Sequence, residues 1–171
     1  MRKVNSLNGK WQNAVFPLTA SLVVVADQLS KVWVRSTLDV GQSLYEMGFF
    51  RLTHVRNTGA AFGLFSGQSL PLAIASAVAV AILLSYAIFL HRRFPMLNNI
   101  FIRLSTALIL GGTIGNLLDR LRFGYVTDFF DFGFWPAFNV ADASITAGVV
   151  IFAGALVALS RTIDIKNGQS T

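Results

Sequence analysis

The stretch LPLAIASAVAVAILLSYAIFL, Leu70 to Leu90, runs for 21 residues without a charge. From Ala73 to Ala81 small and branched residues alternate, as they do in a strand. Length decides for a helix, because a bilayer core takes about 20 apolar residues rising ~1.5 Å each. In lipid the backbone N–H and C=O groups must pair within the segment. A helix achieves this alone and a single strand does not.

Outward from this run, three more segments meet the same requirement. One spans about Ala14 to Val34, interrupted by Asp27 and Lys31. The next spans about Ile100 to Leu118, with Arg103 near one end, where its stem can snorkel. The last spans about Asn139 to Ser160, with Asp142 in its first turn. The first segment also has the marks of a cleavable leader: basic Arg2, Lys3 and Lys10, an apolar run, and small residues around Ala26. Cleavage there would part Asp27 and Lys31 from the helix that carries them, so a retained span is the reading adopted. The expected fold is an all-α membrane protein of four transmembrane helices, one domain over residues 1–171. Its outer loops cover about 35–69 and 119–138. The piece Phe49–Val55 of the first loop has a weak strand pattern and predicts a small β element there.

Composition agrees. Hydrophobic residues make up 54% of the chain and charged ones 13%, against about 25% charged in soluble domains. Much of the surface therefore does not meet water. The net charge of +6 does not point to nucleic acid, because the basic residues are scattered between apolar runs. With no cysteine, disulfides, a thiolate metal site and a cysteine nucleophile are excluded. His54 and His91 stand far apart, which argues against a histidine zinc site. Neither a metal nor a cofactor is expected.

Four spans put both termini on one side. With termini inside, eight Lys and Arg lie inside (Arg2, Lys3, Lys10, Arg92, Arg93, Arg103, Arg161, Lys166) and six lie outside (Lys31, Arg35, Arg51, Arg56, Arg120, Arg122). That bias places both termini in the cytoplasm, and His91-Arg92-Arg93 between the second and third spans is its clearest part. Seven of the eight acids, Asp27, Asp39, Glu46, Asp119, Asp128, Asp131 and Asp142, fall at or beyond the outer ends. Acids weigh little in orientation, so this asymmetry points to chemistry.

Three constellations face that side. In Asp27-Gln28-Leu29-Ser30-Lys31 the two charges share a helix face, and a structural ion pair accounts for them without a function. In Gly111-Gly112-Thr113-Ile114-Gly115-Asn116-Leu117-Leu118-Asp119-Arg120 the small-xxx-small spacing of Gly111 and Gly115 favours helix packing. The third is Asp128, within Val126-Thr127-Asp128-Phe129-Phe130, together with Asp142, within Phe138-Asn139-Val140-Ala141-Asp142. Asn139 as an N-cap with Asp142 at N3 explains Asp142 structurally. Asp128 is harder to dismiss, since a carboxylate among aromatics at a membrane surface is costly without a purpose. Two crowded carboxylates cannot both ionise easily, so they share a proton. One then takes a proton from water while the other donates to a scissile carbonyl. The 14-residue spacing permits this proximity without proving it.

Taken together, Asp27-Gln28-Leu29-Ser30-Lys31, Asn57-Thr58-Gly59-Ala60-Ala61-Phe62, Gly111-Gly112 through Asn116 to Asp119-Arg120, Val126-Thr127-Asp128-Phe129 and Phe138-Asn139-Val140-Ala141-Asp142 resemble the lipoprotein signal peptidases, the type II signal peptidases of bacteria. The five pieces occur in the family's order over residues 27–142. The resemblance implies an aspartic peptidase of the bacterial inner membrane with its site near the outer leaflet. Its substrate would be a prolipoprotein whose cysteine carries diacylglycerol, cleaved just before that cysteine. By the motif match Asp128 and Asp142 are the catalytic pair. Asn57, Asn116, Arg120 and Asn139 lie near the site, and Asp27, Lys31 and Asp119 support it. Thr127 departs from the pattern, which usually has an aliphatic residue there. The outer loop of residues 35–69 is expected to lie over the site, on the membrane, and clamp the substrate. A monomer suffices for this chemistry, with membrane lipid as its surroundings. The rival readings are a channel, transporter or proton-relay subunit, which wants acids at mid-bilayer on several helices, and an adaptor without chemistry, which leaves Asp128 without a role.

Overall fold

The computed structural model of the chain describes residues 2–59, 64–90 and 99–168. Helix α1 (Arg2–Thr37) leads into a hairpin of β1 (Ser43–Met47) and β2 (Phe50–Asn57). Helix α2 (Ser69–Ser85) continues as a π-helical turn, Tyr86–Leu90. Then follow α3 (Ile100–Phe123), β3 (Val126–Asp131) and α4 (Val140–Gly168). Four stretches are long and apolar enough to cross a membrane: Ala14–Thr37, Ser69–Phe89, Ile100–Phe123 and Val140–Arg161. A four-helix membrane fold with a small sheet is thus what the chain forms. The His91-Arg92-Arg93 link and residues 60–62 of the Asn57 motif lie outside the described residues.

Helix α3 is the central post, and α1, α2 and α4 all pack against it. Asn99 caps its start by accepting from the Phe101 N–H at 2.8 Å. Gly124 ends it in the left-handed conformation at φ 75°, where glycine carries no Cβ penalty. Gly111 and Gly115 lie where α1 comes closest. A Cβ at Gly111 would sit 2.7 Å from the Ala20 carbonyl oxygen, and one at Gly115 would sit 2.5 Å from the Asp27 carboxylate. Side chains at either place would push the helices apart.

Burial is inverted relative to a soluble protein. Leu18, Leu22, Val25, Leu29 and Val32 of α1 are exposed, as are Ile74, Val78 and Ile82 of α2. These sides suit lipid. Asp27, Lys31, Asn116, Asp119, Asp128 and Asn139 are buried.

The sheet is larger than the sequence pattern suggests. It has three antiparallel strands in the order β1-β2-β3. The third comes from the second outer loop, whose Val126–Asp131 segment carries no alternation that separates a strand from an apolar loop. Packing supplies what pattern lacks: Phe129 joins Val34 of α1 and Leu38 just beyond it in one apolar cluster, with Leu52, Phe130 and Val140 around it. This cluster ties the sheet to the end of the bundle where α1 finishes.

Candidate active site

The site grows from the last turns of α1. Lys31 Nζ lies 2.9 Å from Asp27 Oδ2 and 3.6 Å from Asp119 Oδ2, and all three side chains are fully buried. Asp27 Oδ1 accepts the Ala141 N–H at 3.0 Å. It thereby places a carboxylate on the start of α4, where the helix dipole favours it. Gln28 steadies the arrangement by donating to Asp27 Oδ2 and to the Gly115 carbonyl, both at 3.1 Å. The ion-pair reading of Asp27 and Lys31 is therefore correct in geometry, but the pair has a further reach. Lys31 donates to Asn116 Oδ1 at 2.8 Å, and the Asn116 amide donates to Asp142 Oδ1 at 2.8 Å.

Asn139 joins the two aspartates. Its side-chain amide donates to Asp128 Oδ1 at 2.6 Å, and its backbone N–H donates to Asp142 Oδ2 at 3.2 Å. Asn139 Oδ1 accepts the Asp142 N–H at 3.0 Å. Asn139 and Asp142 thus form a reciprocal box at the start of α4, so the capping explanation of Asp142 holds too. The residue that caps the helix is also the one that bonds Asp128, so both carboxylates share Asn139 as a partner.

Asp128 stands on β3. Its Oδ2 accepts from the Asn57 amide at 2.9 Å, and its side chain is 1% exposed. Burial first, and then the Asp142 carboxylate, push its pKa up to about 7 against the opposing bonds from Asn57 and Asn139 and the charge of Lys31. Asn57 also accepts the Gly59 N–H at 2.9 Å. Arg120 on α3 donates to the Gly59 carbonyl at 3.2 Å.

These groups meet a cavity of about 660 Å³. Asn57, Asn116, Arg120 and Asp142 line its polar end, and Trp135, Phe138 and Ile145 line its apolar wall. Asp128 is bonded to Asn57 of this wall and to Asn139. Among the described residues no group of three His, Cys, Asp or Glu side chains is placed to hold a metal. One residue outside the sequence motifs belongs to the surroundings. Arg35 donates to Thr127 Oγ1 at 2.9 Å and lies 3.4 Å from Asp119 Oδ1. Its signal was available, since Arg35 lies one helical turn beyond Lys31 on the same face.

A family model described as signal peptidase (SPase) II matches residues 19–158. The chain belongs to the signal peptidase II family. It is 46% identical over 137 residues to a lipoprotein signal peptidase of Moorella thermoacetica, covering 80% of this chain and 88% of the relative. To one from Dehalococcoides mccartyi (strain ATCC BAA-2266 / KCTC 15142 / 195) it is 45% identical over 136 residues, covering 80% and 84%. A bacterial membrane enzyme solved in meso shares the fold at a TM-score of 0.76 and 31% identity, over 85% of this chain and 88% of that one. As a signal peptidase II the chain is a peptidase, a hydrolase. Its four membrane-length helices make it a multi-pass protein of the inner membrane.

Proposed function

We propose that this signal peptidase removes signal peptides from prolipoproteins with Asp128 and Asp142 as its catalytic pair. The observation that carries the reading is Asn139, whose amide and backbone N–H hold one carboxylate each at the polar end of the cavity. With its pKa pushed up to about 7, Asp128 is the member that carries the proton. Asp142, on the cavity wall, takes a proton from water as the water oxygen attacks the scissile carbonyl carbon. Asp128 gives its proton to the carbonyl oxygen. In the collapse of the diol Asp128 recovers a proton, and Asp142 passes its own to the departing nitrogen. The products are a signal peptide ending in a carboxylate and a lipoprotein with a free amine. The two groups titrate as a coupled pair. Asn57, on the cavity wall, orients Asp128 through its amide. Arg120 and Asn116 orient the peptide, and Asp27, Lys31 and Asp119 hold the helices that carry them.

The substrate is a prolipoprotein with diacylglyceryl-modified cysteine, cut just before that residue. The cavity's apolar wall fits lipid and the polar end fits the peptide. Both termini are cytoplasmic and the active site lies near the outer leaflet, supported by the clustering of acids at one end of the bundle. Phe49 and Phe134, 68% and 77% exposed, suit an aromatic belt at that interface. The chain works as a single domain and as a monomer.

Purified enzyme in detergent is expected to cleave a diacylglyceryl-modified prolipoprotein before the cysteine. Asp128→Asn and Asp142→Asn should each lose at least about 10³-fold in kcat/KM while staying folded. Full activity in either variant removes that residue from the mechanism.

A further inference from the structure

A carboxylate is only as well placed as the strand that bears it, and β3 is an edge strand. On the C-terminal side of Asp128 its outward groups pair with Phe138; on the N-terminal side, at Thr127, they bond side chains instead. The Thr127 N–H donates to Asp119 Oδ2 at 2.9 Å. The Thr127 carbonyl accepts from the Asn139 amide at 3.3 Å. Successive strand residues face opposite ways, so the Thr127 side chain leaves the aspartate side and meets α1. There its Oγ1 accepts from Arg35 Nη1 at 2.9 Å. The same Nη1 lies 3.4 Å from Asp119 Oδ1, and the guanidinium carbon lies 4.6 Å from the Phe123 ring centroid. Thr127 and Asp119 are fully buried. Arg35 therefore joins α1, α3 and β3 at one point, one residue away from Asp128 and off the cavity wall.

We propose that Arg35 and Thr127 are positioning residues for Asp128: their hydrogen bond, stacked on Phe123 and backed by Asp119, sets the height and tilt at which β3 presents that carboxylate. The inference rests on Asp128 being catalytic. A hydroxyl at position 127 is the nearer of two acceptors of Arg35 Nη1, the other being Asp119 Oδ1 at 3.4 Å, and a largely buried guanidinium that loses its shorter bond is destabilised.

The test is prolipoprotein cleavage by Thr127→Val, Thr127→Ser, Arg35→Met, the double variant Arg35→Met/Thr127→Val, and Asp128→Asn. Valine keeps threonine's shape and suits a strand, so the fold survives. The charged groups facing Asp128 are Lys31 from α1, Arg120 from α3 and Asp142 from α4. Thr127→Val alters none of them, so a moved pH limb reports changed bonds from Asn57 and Asn139. Thr127→Val is expected to lower kcat about tenfold with little change in KM, and to move the alkaline limb upward. Thr127→Ser should stay within about twofold of wild type, and the double variant should fall no further than the worse single. An unchanged kcat and limb in Thr127→Val, an equal loss in Thr127→Ser, or additive losses in the double variant would each overturn the proposal. Activity in Asp128→Asn removes the catalytic reading and this inference with it. An inactive Asp128→Asn beside a wild-type Thr127→Val overturns the positioning role alone.

Discussion

The two halves of the bundle are built by the same helices on opposite principles. Around Ala20, Ala107 and Leu110 the centre is apolar, filled by Phe16, Val80, Leu83 and Ile114. Two turns further along, the centre holds Asp27, Lys31, Asn116 and Asp119. In the apolar half each side chain contributes by its own contact area, and the loss of one is local. The polar half holds only as a set, because each buried charge there is tolerable only while its partners remain. The comparison teaches that rigidity at a reaction centre in lipid comes from a closed network, since no water is at hand to take over a lost bond.

The sharpest way to break the comparison is to remove one member from each half. Lys31→Met would leave Asp27 and Asp119 without their shared cation. It should cost about 3–5 kcal/mol and abolish cleavage, as thermal unfolding in detergent and peptidase assays would read. Leu110→Ala opens a void in the apolar half at a cost of about 2–5 kcal/mol, and the active fraction that remains folded should cleave normally. Equal activity losses in the two folded variants would erase the distinction.

The next effect concerns pH. Asp128 goes from its ordinary 3.8 to about 7 in the fold, so between those values the native state binds more protons than the unfolded one. The contribution of Asp128 to stability is therefore fullest below pH 3.8 and is lost as pH rises through about 7. Cleavage that needs the Asp128 proton should fall over the same upper limb. Asp128→Asn should flatten this part of the stability profile. Asn57→Ala removes a bond that holds the Asp128 pKa down, and should move the limb upward. A limb that stays in place in Asn57→Ala would separate it from Asp128.

The smallest effect sets one glycine against another. Gly154 of α4 has open space where a Cβ would go, whereas Gly115 faces the Asp27 carboxylate. Gly154→Ala should gain up to about 1 kcal/mol with unchanged cleavage. Gly115→Ala should lose both stability and activity, because the atom it meets is part of the network. Both changes are readable from unfolding temperatures measured side by side.

Much of this was legible in the residues. An uncharged run such as Leu70–Leu90 has one stable solution in a bilayer, and the pairing of Asp27 with Lys31 follows from helical spacing. The closeness of Gly111 and Gly115 to α1 follows from their missing side chains. Strand β3 was not legible, since Val126–Asp131 becomes a strand only by pairing with β2 and packing Phe129 on Val34 and Leu38. Arg35 was read as a loop-side cation of the outer face, and its acceptor, Thr127, lies 92 residues away.

What the sequence determined by itself was the number of spans, the gathering of acids at one end, and the family, because hydropathy over 20 residues and ordered motifs are local properties. What only the tertiary structure decided was which carboxylate meets which amide. Asn139 reaches Asp128 on a strand and Asp142 on a helix at once. Such relations depend on how close two helices and a sheet edge come, to within a hydrogen-bond length, and packing sets that distance.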